Sequence, residues 1–524
     1  MAHVVREPCD EGVILSRKCV SPCSKVKGRW ILAATILASS MAFIDGTVVN
    51  VALPFLQKNL STTVIGVQWV VEAYSLFLSA LLLVGGSLGD RYGRKLIFVI
   101  GVILFALSST WCGLAANINQ LILARAVQGV GGALLVPGSL AIISSSFASD
   151  QRGRAIGTWS GLSAITTAIG PVLGGWLVEH VSWRAVFFLN LPLAAAVVVI
   201  SLWHVPESYT NESGPLDWRG AVLATIGLGG LVYGLIESSR VGFGDSTVLG
   251  PLFTGGVSLA VFIFNESRAL NPMLPLRLFR SRDFSGANLL TLLLYAALGG
   301  ALFFLTLNLI QIQGYSATAA GAAFLPFVLI MFSLSRWSGG LVDHFGARLP
   351  LIIGPVIAAL GFAMFILPGA RANYWSSFFP AVVVLGLGMA VSVAPLTTTV
   401  MGSVKEEQAG IASGINNAVS RAAGLLAIAI FGVVMLSTFS RNLHQRLAII
   451  DMEDEARRSL YEQRVKLAGL QLPTTVNATT QRQLEQAVAD SFVSGYRLIM
   501  LVAAGLAMAS AAATWMMIGS KETD

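Results

Sequence analysis

Four charged residues, Asp45, Glu72, Arg125 and Arg421, stand inside long apolar runs of this 524-residue chain. A charge at the centre of a bilayer costs on the order of 3 kcal/mol or more, so each is a candidate for function. An ionised carboxylate at the depth of Asp45 needs a partner, and a proton or a positively charged passenger can serve. The two compete, which is the physical basis of exchange; the plainer alternative is a structural hydrogen bond between helices. Glu72 follows Gln68 by four positions and shares its helix face. It either lines a cavity or reaches toward outer water. Arg125, with Gln128 and Gly129 close on its face, can favour the ionised form of a nearby carboxylate and release its proton as helices rearrange. The alternative is an anchor reaching for the interface. Arg421, behind Asn416 and Asn417, is placed to face a cavity, whereas Arg336 lies near a charged turn and reaches for the surface. Phe303, Phe304, Phe324 and Phe327 would suit an apolar passenger, or ordinary packing.

A second group of residues could control movement. Gly86-Ser87-Leu88-Gly89-Asp90-Arg91-Tyr92-Gly93-Arg94-Lys95 is a charged turn between two apolar runs. It returns as Gly339-Gly340-Leu341-Val342-Asp343-His344-Phe345-Gly346-Ala347-Arg348. Two such hinges in one membrane chain imply two homologous helical bundles that move against each other. Further along, Gly170, Pro171, Gly174 and Gly175 give one helix a smooth, bendable face. Contact between the bundles and packing within one bundle would use the same residues.

The elements that must hold these residues are membrane helices. The chain is 55% hydrophobic and only 12% charged, about half the charge of a soluble domain. Apolar segments of spanning length fall at about 30–55, 64–86, 96–116, 121–144, 155–178, 184–204, 218–237, 247–266, 286–311, 318–340, 349–367, 376–400, 411–437 and 494–518. The expected fold is therefore all-α, with about fourteen spans and a six-two-six plan. A tail at 1–28 precedes a six-helix bundle at 29–205, and the stretch 206–284 carries two extra helices with linkers. A second bundle at 285–518 includes a long loop at 438–493, and a short tail closes the chain at 519–524.

Basic residues explain the net charge of +7 as a topology signal, not a nucleic-acid surface. Arg17, Lys18, Lys25, Lys27 and Arg29 precede the first span, and Arg91, Arg94, Lys95, Arg152, Arg154, Arg268, Arg277, Arg280, Arg282, Arg348 and Lys405 fall in loops on the same side. The short loops opposite offer little beyond Lys58, Arg240 and Arg371. Both termini are expected in the cytoplasm and loop 438–493 outside. Leu460, Leu467 and Leu470 make part of that loop amphipathic: either a solvated connector or a shaper of the outer entrance. No cleavable signal peptide is expected, and Cys9, Cys19, Cys23 and Cys112 read as reduced thiols, with lipidation or metal binding by the tail trio a lesser option.

These motifs resemble the major facilitator superfamily, in particular its fourteen-span drug:proton antiporters. Gly86–Lys95 is similar to motif A, and Asp45 through Pro54 to motif D. Leu121 through Arg125, with Gln128, Gly129 and Gly131, is similar to motif B, and Gly170 through Gly175 to the antiporter motif C. Ser182-Trp183-Arg184 and Asn190-Leu191-Pro192 also fit that branch. In the second hinge Ala347 and His344 replace basic residues, as in a degenerate copy. The resemblance implies alternating access in a bacterial inner membrane, with a role for Arg125 in proton transfer.

The residues and the resemblance together point to proton-coupled efflux of amphipathic drugs, cationic or neutral, by a monomer in contact with membrane lipid. Asp45, Glu72, Arg125, Gln68 and Arg421 would serve proton coupling and substrate. Gly86, Asp90, Arg91, Gly93, Arg94 and Asp343 would form the conformational gate. No Walker loop, zinc signature or catalytic constellation is present in the sequence, so no cofactor, metal, enzyme activity or nucleic-acid partner is expected. Export of a dedicated metabolite, lipid or siderophore is one rival; a membrane receptor that transports nothing is another.

Overall fold

The computed structural model describes residues 25–147, 149–208, 217–269, 272–404, 408–473 and 476–519. Cys9, Cys19, Cys23, Arg17, Lys18 and Lys405 lie outside them, as do the side chains of Lys25, Arg152, Arg154, Arg336 and Asp343.

The N-terminal half contains α1 (Lys25–Asn59), α2 (Val64–Tyr92), α3 (Arg94–Leu114), α4 (Ile118–Ser146), α5 (Ser149–His180) and α6 (Asn190–His204). Two helices follow, α7 (Trp218–Val241) and α8 (Ser246–Arg268). The C-terminal half contains α9 (Arg282–Leu307), α10 (Leu325–Gly339), α11 (Arg348–Met364), α12 (Phe379–Gly402), α13 (Ala409–Leu447) and α14 (Ala478–Met517). A short helix, Ala317–Ala322, leads into α10. Each apolar segment expected to span coincides with one of these helices or with a helix and its lead-in turn. Among the described residues twelve stretches are long and apolar enough to cross a membrane. Arg348–Met364 is apolar but shorter, so the count of fourteen rests on the sequence.

Polar residues punctuate the chain at the helix starts. The side chains of Thr63, Asn117, Ser281 and Asn477 each accept a first-turn amide N–H, at 3.2, 3.0, 3.3 and 2.8 Å. Such caps satisfy donors that have no partner within the helix. At the two hinges the chain turns through glycine with positive φ, +116° at Gly93 and +71° at Gly346. L-residues with side chains rarely adopt that backbone, so the repeated glycine has a physical cause.

Within the N-terminal half α4 packs on α2 and α3, and α1 packs on α5 and α6. In the C-terminal half α9 packs on α13 and α14, and α11 on α12 and α14. The extra pair is asymmetric. Helix α7 lies against both α2 and α13, across the seam between the halves, whereas α8 packs chiefly on α7. Leu76, Val232, Ile236, Leu425 and Ala429, from α2, α7 and α13, form a separate buried cluster there.

The long loop differs from the solvated connector. Helices α13 and α14 extend into it, and a short helix, Asp454–Glu462, and a 3-10 turn, Gln463–Gly469, lie between them. Leu460 and Leu467 are 1% exposed and join the main core, as does Leu470. Gln57 on α1 donates to the Lys466 carbonyl at 3.0 Å. The leucines thus face the bundle, and the segment caps the end opposite the hinges.

Candidate functional site

Asp45 points from α1 into the N-terminal half, and its side chain is fully buried. One carboxylate oxygen accepts from Arg125 on α4. The other accepts from Gln128 Nε2 at 2.9 Å and Asn190 Nδ2 at 3.4 Å. The guanidinium also donates to Gln128 Oε1 at 2.8 Å and to the Val70 carbonyl at 2.9 Å. It lies 4.2 Å from the centre of the Tyr74 ring, close enough for a cation–π contact. Arg125 is 1% exposed. The anchor reading of Arg125 therefore gives way to a buried ion pair that joins α1, α2, α4 and α6.

Such a pair binds its partners tightly to one another while gaining little over an apolar core. Removing one member leaves a buried charge and costs about 3–5 kcal/mol. Chemically, a proton delivered to Asp45 would discharge the pair and free Arg125 to move. A cationic passenger would instead have to displace Arg125, which is held by two further acceptors and an aromatic face.

Glu72 and Gln68 share a face as expected, but the face looks away from the Asp45 cluster. Gln68 Nε2 donates to the Ile428 carbonyl of α13 at 3.3 Å. Glu72 is fully buried, and neither carboxylate oxygen has a hydrogen-bond partner. One helical turn further on, Leu76 packs against α7 and α13. Arg421 is partly exposed on α13, and no carboxylate among the described residues pairs with it. Phe303 and Phe304 are buried in the core, so packing accounts for them.

The glycine face of α5 divides between two partners. A Cβ at Gly170 would come 2.5 Å from Thr47 Oγ1, and one at Gly174 would come 2.6 Å from Val48, both on α1. A Cβ at Gly175 would lie 2.4 Å from the Ala317 carbonyl oxygen, and one at Gly321 would lie 2.1 Å from that of Pro171. Thus Gly170 and Gly174 serve packing within one half, while Pro171 and Gly175 make the contact between halves. Glu179 accepts from the Thr318 amide at 3.2 Å and from its hydroxyl, and Gln311 donates to Gln57 at 3.0 Å. Among the described residues, the hydrogen bonds joining the two halves all lie toward the end opposite the hinges.

At the first hinge Asp90 pairs with Arg94 at 2.7 Å. Arg91 is exposed and stacks on Tyr92. The Arg94 amide donates to the Ser208 carbonyl at 2.9 Å. Glu207 accepts from the Lys95 and Leu96 amides at 2.9 and 3.1 Å, capping α3 from the segment after α6. Gly86 faces Pro137 at ordinary contact distance. The side chain of Asp343 is outside the described residues.

Sequence reasoning passed over Tyr74 and Glu207, and gave Asn190 only as part of a motif. Glu207 directly after Pro206 in a charged linker was a visible signal. Tyr74, two residues after Glu72, carried none that separates it from packing.

Two helical halves, a buried charge cluster and a sealed contact at one end define a membrane transporter. The chain belongs to the Major Facilitator Superfamily, whose sequence profile matches residues 35–428. It is 34% identical over 483 residues to the multidrug resistance protein Stp of Mycobacterium tuberculosis, covering 90% of this chain and 88% of that one. It is 32% identical over 498 residues to the tetracenomycin C resistance and export protein of Streptomyces glaucescens, covering 94% and 92%. Its fold is similar to a bacterial homologue of the human lysosomal transporter Spinster, with TM-score 0.65 at 17% identity, covering 95% of this chain and all of that one.

Proposed function

We propose that the chain exports amphipathic drugs across the cytoplasmic membrane in exchange for protons, as a monomer surrounded by lipid, with both termini inside. Its similarity to a multidrug resistance protein and to a tetracenomycin C resistance and export protein supports the substrate class. The observation that carries proton coupling is the buried Asp45–Arg125 pair with its two amide partners. Its carboxylate is the group whose protonation would break the ties among four helices. With the hinges on the cytoplasmic side, the sealed end faces outward, and the conformation is closed to the outside.

In this scheme a proton from outside reaches Asp45, Arg125 is released, and the halves return to the state that takes up drug from inside. Glu72 and Gln68 belong to the moving seam between α2 and α13. Asp90 and Arg94 act with Gly86, Arg91 and Gly93 as the gate, engaging when the cytoplasmic side closes; Asp343 is assigned the same part in the second copy by symmetry.

The test is transport into inverted membrane vesicles of a panel of cationic, neutral and anionic amphiphiles. Accumulation of at least one compound should require a proton gradient and vanish in Asp45→Asn. Accumulation that survives dissipation of the gradient refutes coupling.

A further inference from the structure

Among the described residues, the charge that remains available between the halves is positive. Asp45 is occupied by Arg125, Gln128 and Asn190, and its side chain has no exposed surface. Glu72 is fully buried, one helical turn from Leu76, which packs against α7 and α13. Arg421 is different. Residues 414, 418, 421, 425, 428 and 432 recur on α13 at alternating four- and three-residue steps, forming one face. That face lies on α2: Gly414 approaches Leu83, Leu425 joins Leu76, and Ile428 accepts from Gln68. Arg421 sits in the middle of the row, about 18 Å along the helix from Ala409 at 1.5 Å per residue. That depth is near the centre of a hydrocarbon core about 30 Å thick.

Arg421 is partly exposed, lies one helical turn from Ala418, which packs against the buried cluster that contains Tyr74, and has no carboxylate partner among the described residues. A planar group with five donors and a permanent charge, left accessible in an apolar setting, is suited to a bidentate anion. Resting on the proposed efflux, we propose that the passenger carries a carboxylate or comparable acidic group, which Arg421 receives beside Tyr74. The sequence alone suggested a cationic or neutral passenger; the occupied state of Asp45 removes the anion that would attract a cation.

The test uses three probes with one apolar body: pyrenebutyrate, pyrenebutanamide and pyrenebutyl-trimethylammonium. Binding to the purified full chain is read by energy transfer from tryptophan. Wild type should bind the carboxylate at least tenfold more tightly than the ammonium compound. Arg421→Gln should abolish that preference while retaining the amide, and Arg421→Lys should restore part of it. Equal or tighter binding of the ammonium compound by wild type overturns the proposal, as does an unchanged preference in Arg421→Gln. The wild-type comparison stands if a variant fails to fold. Gradient-driven transport of the amide by wild type reports separately on proton coupling, so failure of one idea is distinguishable from failure of the other.

Discussion

Neutralising Asp45 should cost stability and coupling through separable causes. Asp45→Asn keeps the shape of the side chain but leaves the Arg125 charge buried, with Val70 and Gln128 as its remaining acceptors. The expected loss is about 3–5 kcal/mol, the cost of breaking a buried pair from one side. The two retained acceptors and the Tyr74 face offset part of it, which favours the lower end of that range. Replacing both members, Asp45→Asn with Arg125→Gln, removes the stranded charge and should recover most of the stability. It should not recover gradient-dependent transport, because no carboxylate remains in the cluster. Unfolding of purified protein followed by tryptophan fluorescence would measure the first effect, and vesicle transport the second. If the single variant lies within about 1 kcal/mol of wild type, or the double variant is no more stable than the single, the pair does not hold the four helices as argued.

The other perturbations separate gate, seal and seam. In Gly175→Val the new Cβ is forced onto the Ala317 backbone, and overpacking of about 1–3 kcal/mol should open the sealed end. Labelling of an added Ala317→Cys, buried at the contact in wild type, by a membrane-impermeant maleimide should rise several-fold from outside; unchanged labelling would refute the seal. Asp90→Asn removes a partly exposed pair worth roughly 0.2–1 kcal/mol, so the protein should insert and melt normally while transport falls. Wild-type export by that variant would exclude a gate at this residue. Glu207→Gln weakens the cap on α3 by about 0.5–2 kcal/mol, and the Lys95 and Leu96 amides should exchange hydrogen faster. Equal exchange would show that the carboxylate's charge contributes nothing to the cap.

What could be read from the chain beforehand was what repeats or persists along it. Apolar runs of spanning length mark the helices because every backbone group in lipid must be satisfied within its own segment. The echo between Gly86–Lys95 and Gly339–Arg348 marks two halves, and Gly93 and Gly346 both take positive φ. What could not be read was which distant residue answers which. Asp45 and Arg125 are 80 positions apart, and nothing in their spacing says that they meet. The division of α5 between Thr47 and Val48 on one side and Ala317 on the other is likewise tertiary. Leu460, Leu467 and Leu470 show a face but not its partner. Glu72 illustrates the sharper limit: it shares a face with Gln68, and one turn further on Leu76 packs against α7, a helix of the pair assigned to neither half.

The sign of the charge left open at Arg421 also bears on what drives transport. Suppose one proton enters for each passenger that leaves. A monocation leaving as the proton enters moves no net charge, so the membrane potential adds nothing. A neutral passenger moves one charge, and a monoanion moves two, because an anion leaving and a proton entering both follow an inside-negative potential. At about 2.3 kcal/mol per charge per 100 mV, the same exchange gains about 4.6 kcal/mol for the anion. In the proposed scheme, an arginine with no carboxylate partner among the described residues and a carboxylate already paired with Arg125 favour the passenger that the potential already helps to expel. The charge arrangement and the driving force select in the same direction, and they do so without a second coupling site.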